Sequence, residues 1–103
     1  MMSAIANISN SEKLDVDFDA WKLIEHDDTA IIRINMKAGH SVAAHVNEKD
    51  VVFYVLSGEG ELKIDEQSFL PKVGDSILVG KGKIRSWTVI GDTALELLVV
   101  KYL

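Results

Sequence analysis

Apolar side chains recur at every second position in short runs along this chain. Leu14, Val16 and Phe18 alternate with aspartates, and Ile32, Ile34 and Met36 are interleaved with Arg33 and Asn35. A repeat of two is the signature of a strand with one buried face, so both stretches are predicted to be strands. Further β-branched and aromatic runs follow: HSVAAHV, DVVFYVLSG, EGELKID, QSFLP, DSILVG, RSWTVIG and TALELLVVKYL. They are separated by Gly, Asp, Asn and Lys at the spacing of roughly 8–12 residues expected of an all-β sandwich or barrel. No interior window carries a helical stripe. Only Ala94–Leu103 could pass for a helix, and Leu98, Val99 and Val100 following the turn signal Gly91-Asp92 argue for a strand there too. Ser57-Gly58-Glu59-Gly60 reads as a tight turn with glycine supplying positive φ, and Lys63 to Gln67 reads as a second hairpin. Pro71 falls between strands, where its missing N–H costs little, and Gly74-Asp75 leads into a strand at Ser76–Val79.

Val51–Leu56 departs from the alternation, being apolar on both faces. A sheet with one face in water would alternate, so both sides of this strand must be covered, one by the core and the other by a second sheet or a second copy of the chain. A homodimer is therefore the expected assembly. Only residues 1–12, rich in Ser and Asn, resemble a loose arm, which leaves residues 13–103 as a single domain.

Composition adds several exclusions. With 103 residues, 48% hydrophobic and 26% charged, the chain can fold around its own core. It has no cysteine, which removes disulfides, thiolate metal sites and a cysteine nucleophile. Sixteen acidic against eleven basic residues give a net charge of -5, so neither nucleic acid nor an anionic membrane is the expected partner. The longest apolar run is far too short to span a bilayer, and the first residues lack the charged start and apolar core of a signal peptide, so the expected location is cytoplasmic.

From Gly39 the chain reads GHSVAAHVNEKDVVFYVLSGEGEL. This resembles the first motif of the cupin family, G-x5-H-x-H-x(3–4)-E-x6-G, starting at Gly39, with its first histidine at His45 and its end at Gly58. The second motif, G-x5-P-x-G-x2-H-x3-N, falls on Gly74 to Val89, with Gly74 and Gly82 in register. The resemblance covers about Ile31 to Val100. The fold it implies is a double-stranded β-helix, a jelly-roll barrel with its pocket inside. Members of the family usually hold a divalent metal with two histidines and a glutamate of the first motif and a histidine of the second. Carried onto this chain, those positions are His45, Asn47, Val51 and Arg85. One strong ligand remains of four. Asparagine is a weak neutral donor, valine offers nothing, and arginine brings a permanent positive charge with no free lone pair. No metal and no cofactor are therefore expected. A set of His40, His45 and Asp50 is the one replacement left open. It would need a bulge to re-aim Asp50, whereas Glu48, Lys49 and Asp50 more simply form a solvated turn.

If the barrel alternation holds, Ala43, His45, Asn47, Val51, Phe53 and Val55 face inward from the first motif and Arg85, Trp87 and Val89 from the second. An apolar cavity containing a guanidinium favours a carboxylate or phosphate. The expected function is metal-free binding of a small organic anion by Arg85, with His45, Asn47, Trp87 and Phe53 as the other ligand-binding residues. Bland roles compete: Arg85 could pair with Glu48 or Asp50, His45 could be a hydrogen-bonded core residue, Trp87 could merely pack, and Asn47 could merely hold a turn. The alternative function is a metal-dependent isomerase or dioxygenase with a non-standard ligand set. Acid–base catalysis by His45 with Arg85 stabilising an enolate lacks a carboxylate placed beside the histidine, and a purely structural dimer is the remaining possibility. Gly80-Lys81-Gly82-Lys83 lacks the spacing and the following helix of a phosphate loop and reads as a loop with two solvated lysines.

Overall fold

The computed structural model describes residues 4–103, and all ten of its strands pair antiparallel. Of the N-terminal segment expected to be a loose arm, residues 1–3 lie outside the described residues. Asn7 caps a 3-10 turn at Ile8–Asn10, its side chain accepting from the Ser9 and Asn10 backbone N–H groups. Strand β1 (Glu12–Lys13) then pairs with β2 (Asp19–His26). The chain continues through β3 (Thr29–Met36), β4 (Ser41–Val46), β5 (Val51–Ser57), β6 (Glu59–Ile64), β7 (Gln67–Phe69), β8 (Ser76–Val79), β9 (Ile84–Ile90) and β10 (Leu95–Tyr102).

A six-stranded sheet, in the order β1-β2-β3-β10-β5-β8, faces a four-stranded sheet, β4-β9-β6-β7. Consecutive strands change sheet at β3/β4, β4/β5, β5/β6, β7/β8 and so on, and this crossing winds the chain into the jelly-roll of a double-stranded β-helix. The segment that could have passed for a helix is strand β10. It sits in mid-sheet between β3 and β5, where its alternating Leu95, Leu97 and Val99 are buried.

Two local expectations are corrected. The alternating run Leu14–Phe18 is not a strand. Residues 15–18 are bends, and the strand begins at Asp19. The alternation still sorts the side chains, because Leu14, Val16 and Phe18 all line one cavity. Nor does the Ser57–Gly60 turn close a hairpin, since β5 and β6 lie in different sheets. Gly58 is the corner between them. Its φ is +86°, and a Cβ there would lie 2.1 Å from the Ala94 carbonyl oxygen. The second hairpin forms as expected, with Ile64 opposite Gln67 and Asp65 at positive φ in the turn.

The inward side chains stack in layers along the barrel. At one end Met36, Leu62, Val89, Leu95 and Leu97 close the core, and Leu62, Leu95 and Leu97 are completely buried. At the other end the register brings Val51 opposite Lys101 and His45 opposite Arg85. Loops tie this end together: Gly82 N–H donates to the Asn47 carbonyl at 2.9 Å, and Tyr102 N–H donates to the Asp50 carbonyl at 3.2 Å. One end of the barrel is therefore a plug of aliphatic side chains, and the other carries the polar ones.

Candidate ligand-binding cavity

The polar end opens into a cavity of about 180 Å³ between the two sheets. The five residues singled out from the sequence, His45, Asn47, Phe53, Arg85 and Trp87, all line it. Most of the remaining wall is apolar, with Ile32, Ile34, Met36 and Val99 among its members.

Arg85 and Trp87 come from β9, whose alternation buries Arg85, Trp87 and Val89 on one face. Arg85 is only 7% exposed and is the one buried charged residue among those described. Among the described residues no carboxylate lies within ion-pairing reach of its guanidinium, which rules out the pairing with Glu48 or Asp50. It lies 5.6 Å from the centre of the Phe53 ring, and burial lowers its pKa from the ordinary arginine value. An arginine starts so high that it keeps its charge regardless. Trp87 packs edge-on against Phe53 with ring centres 5.5 Å apart. Gly60 makes room for it, because a Cβ there would come within 3.1 Å of the indole. The indole Nε1 is buried and has no hydrogen-bond partner among the described residues. A buried N–H without an acceptor is costly and uncommon in folded proteins.

Strand β4 supplies the third side. Here the inward alternation expected from Ala43 fails. Val42 pairs with Trp87 and His45 with Arg85, so the register slips by one residue between them. The resulting bulge turns Val42 rather than Ala43 into the cavity. His45 is exposed at the mouth, its Nδ1 a distant 3.4 Å from the Ala43 carbonyl oxygen, and is not a core histidine. Asn47 does hold a turn, its Oδ1 accepting from Lys49 N–H at 3.0 Å, and the same side chain lines the cavity.

Two groups of cavity residues escaped the sequence reading. Leu14, Val16 and Phe18 form an apolar strap along one side. Their alternation was visible, but strand-like spacing does not show that a bent segment crosses the barrel mouth. Lys101 lines the cavity from β10. It could have been found by extending the inward series Leu95, Leu97, Val99 by two residues.

The donors do not fit the metal site of the related motifs. Among the described residues no group of three His, Asp or Glu side chains is placed to hold a metal ion. The open set of His40, His45 and Asp50 is not assembled. His40 lies beside Phe18 in a separate cleft, with ring centres 6.3 Å apart, and Asp50 Oδ1 accepts from Lys81 N–H at 2.8 Å. That bond also anchors the Gly80–Lys83 loop, in which Lys83 pairs with Asp65 at 3.2 Å. Arg33 and Asn35 stay outside the cavity, and Arg33 pairs with Glu96 at 2.9 Å.

A family model described as a cupin domain matches residues 32–101. No curated protein matches the chain. Solved structures share its architecture at low identity. A predicted oxalate decarboxylase from Thermotoga maritima superposes with a TM-score of 0.85 at 22% identity, over 97% of this chain and 99% of its own. KdgF from Halomonas sp. gives 0.85 at 13% identity, over 99% and 96%. The polyketide cyclase RemF from Streptomyces resistomycificus gives 0.84 at 18% identity, over 99% and 80%. The activities named for these structures differ, so the likeness carries the barrel and not a reaction.

Proposed function

The chain belongs to the cupin family, and from that membership and the donors it lacks we propose that it binds a small organic anion inside its barrel without a metal. The observation that carries the reading is the buried guanidinium of Arg85, which has no counter-ion among the described residues and occupies the position of a metal ligand in the family motif. A divalent cation there would be repelled, whereas a carboxylate would complete a two-pronged, charge-assisted hydrogen-bonding pair. Trp87 lines the same cavity and adds an aromatic wall for the body of such a ligand. Asn47 Nδ2 is free for a ligand because its Oδ1 is the atom committed to the turn. His45 at the mouth and Phe53 beneath the guanidinium complete the binding residues.

The test is a thermal-shift screen of small carboxylates, with the matching primary amides as uncharged controls. A carboxylate present at a hundred times its dissociation constant is expected to raise the melting temperature by about 10 °C or more. The Arg85→Leu protein is expected not to respond. An equal response from both proteins would overturn the reading. A stoichiometric transition metal in the purified protein, lost in His45→Ala, would instead favour a metal-dependent enzyme.

A second copy of the chain is the partner proposed besides the ligand. The outer face of the six-stranded sheet carries Val52, Leu56, Leu98 and Val100, half-buried, around Tyr54, which is 40% exposed. Light scattering of the intact protein and of Tyr54→Lys tests this: a dimer that dissociates on substitution supports it, and a monomeric parent protein overturns it. No helix among the described residues is long and apolar enough to cross a membrane.

A further inference from the structure

The cavity holds a second cation. Lys101 lines it from the six-stranded sheet, and Arg85 lines it from the four-stranded sheet. Both lie at the same end of the barrel. Lys101 pairs across β10 with Val51, the first residue of β5, and Arg85 pairs with His45 near the end of β4. The loop that joins β4 to β5 is bonded to both sides, through Asn47 to Gly82 and through Asp50 to Tyr102. Facing sheets pack about 10 Å apart, so two long cationic side chains from opposite walls reach one shared volume.

No acidic residue lines that volume, although the chain as a whole carries a net charge of -5. Neither cation has an ion-pair partner among the described residues. Two like charges brought together in a partly desolvated cavity repel each other unless an anion lies between them. The remaining wall selects what that anion is attached to. Ile32, Ile34, Met36, Phe18 and Trp87 offer an apolar bed, and a cavity of about 180 Å³ is slightly larger than one of ~150 Å³ known to hold benzene. The flat two-oxygen head of a carboxylate matches the guanidinium fork and leaves more of this space to an apolar body than a phosphate would.

We propose that Lys101 and Arg85 grip, from opposite walls, the single carboxylate of a ligand whose body is apolar and about the size of one six-membered ring. This rests on the reading of the cavity as an anion site and adds to it a second cationic residue and a ligand class. The carboxylate lies between guanidinium and ammonium at the polar end. The ring lies against Trp87 and the aliphatic wall. Alternation along β10 brings Lys101 inward by the same rule that buries Leu97 and Val99.

Benzoate is the probe, with acetate, 1-naphthoate, benzamide and inorganic phosphate beside it. Binding is followed by titration calorimetry and by the fluorescence of Trp87 in a Trp21→Phe background, Trp21 lying outside the cavity. Benzoate is expected to bind and to change the indole emission. Acetate lacks the apolar body, benzamide lacks the charge, and naphthoate exceeds the volume, so each is expected to bind at least about tenfold more weakly. Lys101→Met, which keeps the length and loses the charge, is expected to weaken benzoate by about tenfold or more while leaving the melting temperature of the free protein within a few degrees. Benzoate bound equally well by Lys101→Met, but lost in Arg85→Leu, would overturn the role of Lys101 and leave the anion site standing. Loss in neither variant would overturn both. Phosphate or acetate binding as tightly as benzoate would overturn the ligand class.

Discussion

Arg85→Met is expected to make the free protein more stable. The wild-type guanidinium is 7% exposed and has no carboxylate within reach among the described residues. Its one compensation among the described contacts is the face of Phe53 at 5.6 Å, worth about 0.5–2 kcal/mol. Removing a charge from water costs several kcal/mol per ion, and replacing buried charged groups by apolar residues of similar volume has stabilised proteins by about 1–4 kcal/mol. The head of Arg85 borders a cavity large enough for water, which places the expected gain near the lower end, about 1–2 kcal/mol. Methionine keeps an unbranched stem like that of arginine, so little cavity cost offsets this gain. For a domain of about 100 residues the melting temperature should rise by roughly 5–10 °C. The assay is thermal unfolding followed by circular dichroism, in an amine buffer free of carboxylate and phosphate so that no anion stabilises the wild type. The sign agrees with the pKa shift. A base whose folded value is lowered loses stability wherever it is charged in both states, and the loss is lifted only as the pH climbs from the folded value toward the ordinary arginine value. That window lies where lysines and tyrosines also titrate, so substitution is the cleaner probe. A melting temperature several degrees below wild type would refute the reasoning, because it would mean that the charge holds the barrel together.

Four further outcomes follow. Gly58→Ala combines a φ of +86° with a Cβ 2.1 Å from a backbone oxygen, and is expected to destabilise by on the order of 3 kcal/mol or more in urea unfolding; a change below about 1 kcal/mol would contradict the corner geometry. Leu97→Ala empties a completely buried site between β3 and β5 and should cost about 2–5 kcal/mol in the same assay. The Asp65 carboxyl is held below its usual range first by the Ile84 backbone N–H and then by Lys83, so its contribution is present above pH 3.8 and fades as the pH falls through the lower folded value; Asp65→Asn should flatten the acid limb of the stability curve. Adding zinc, manganese or ferrous ion should leave the melting temperature unchanged, because His45, Asn47, Val51 and Arg85 do not make a donor set for them.

The alternation Ile32-Ile34-Met36, the β-branched run of β5 and the glycine and aspartate turns determined by themselves that this chain is a β-barrel. The two motif spacings were enough to align Arg85 with a metal-ligand position and to bring Trp87 and Phe53 to the inside. These features are readable because strand periodicity and turn chemistry depend on near neighbours in the chain. Tertiary structure alone decided the rest. The bulge that exchanges Ala43 for Val42 arises from the pairing of β4 with β9, more than forty residues away. The bend of Leu14–Phe18 along the cavity and the meeting of Lys101 and Arg85 in one cavity depend on which strands become neighbours and in what register. Side-chain alternation says that a residue points inward, but only long-range pairing says which residues share a cavity with it, and Arg85 shares this one with Lys101 from the other sheet.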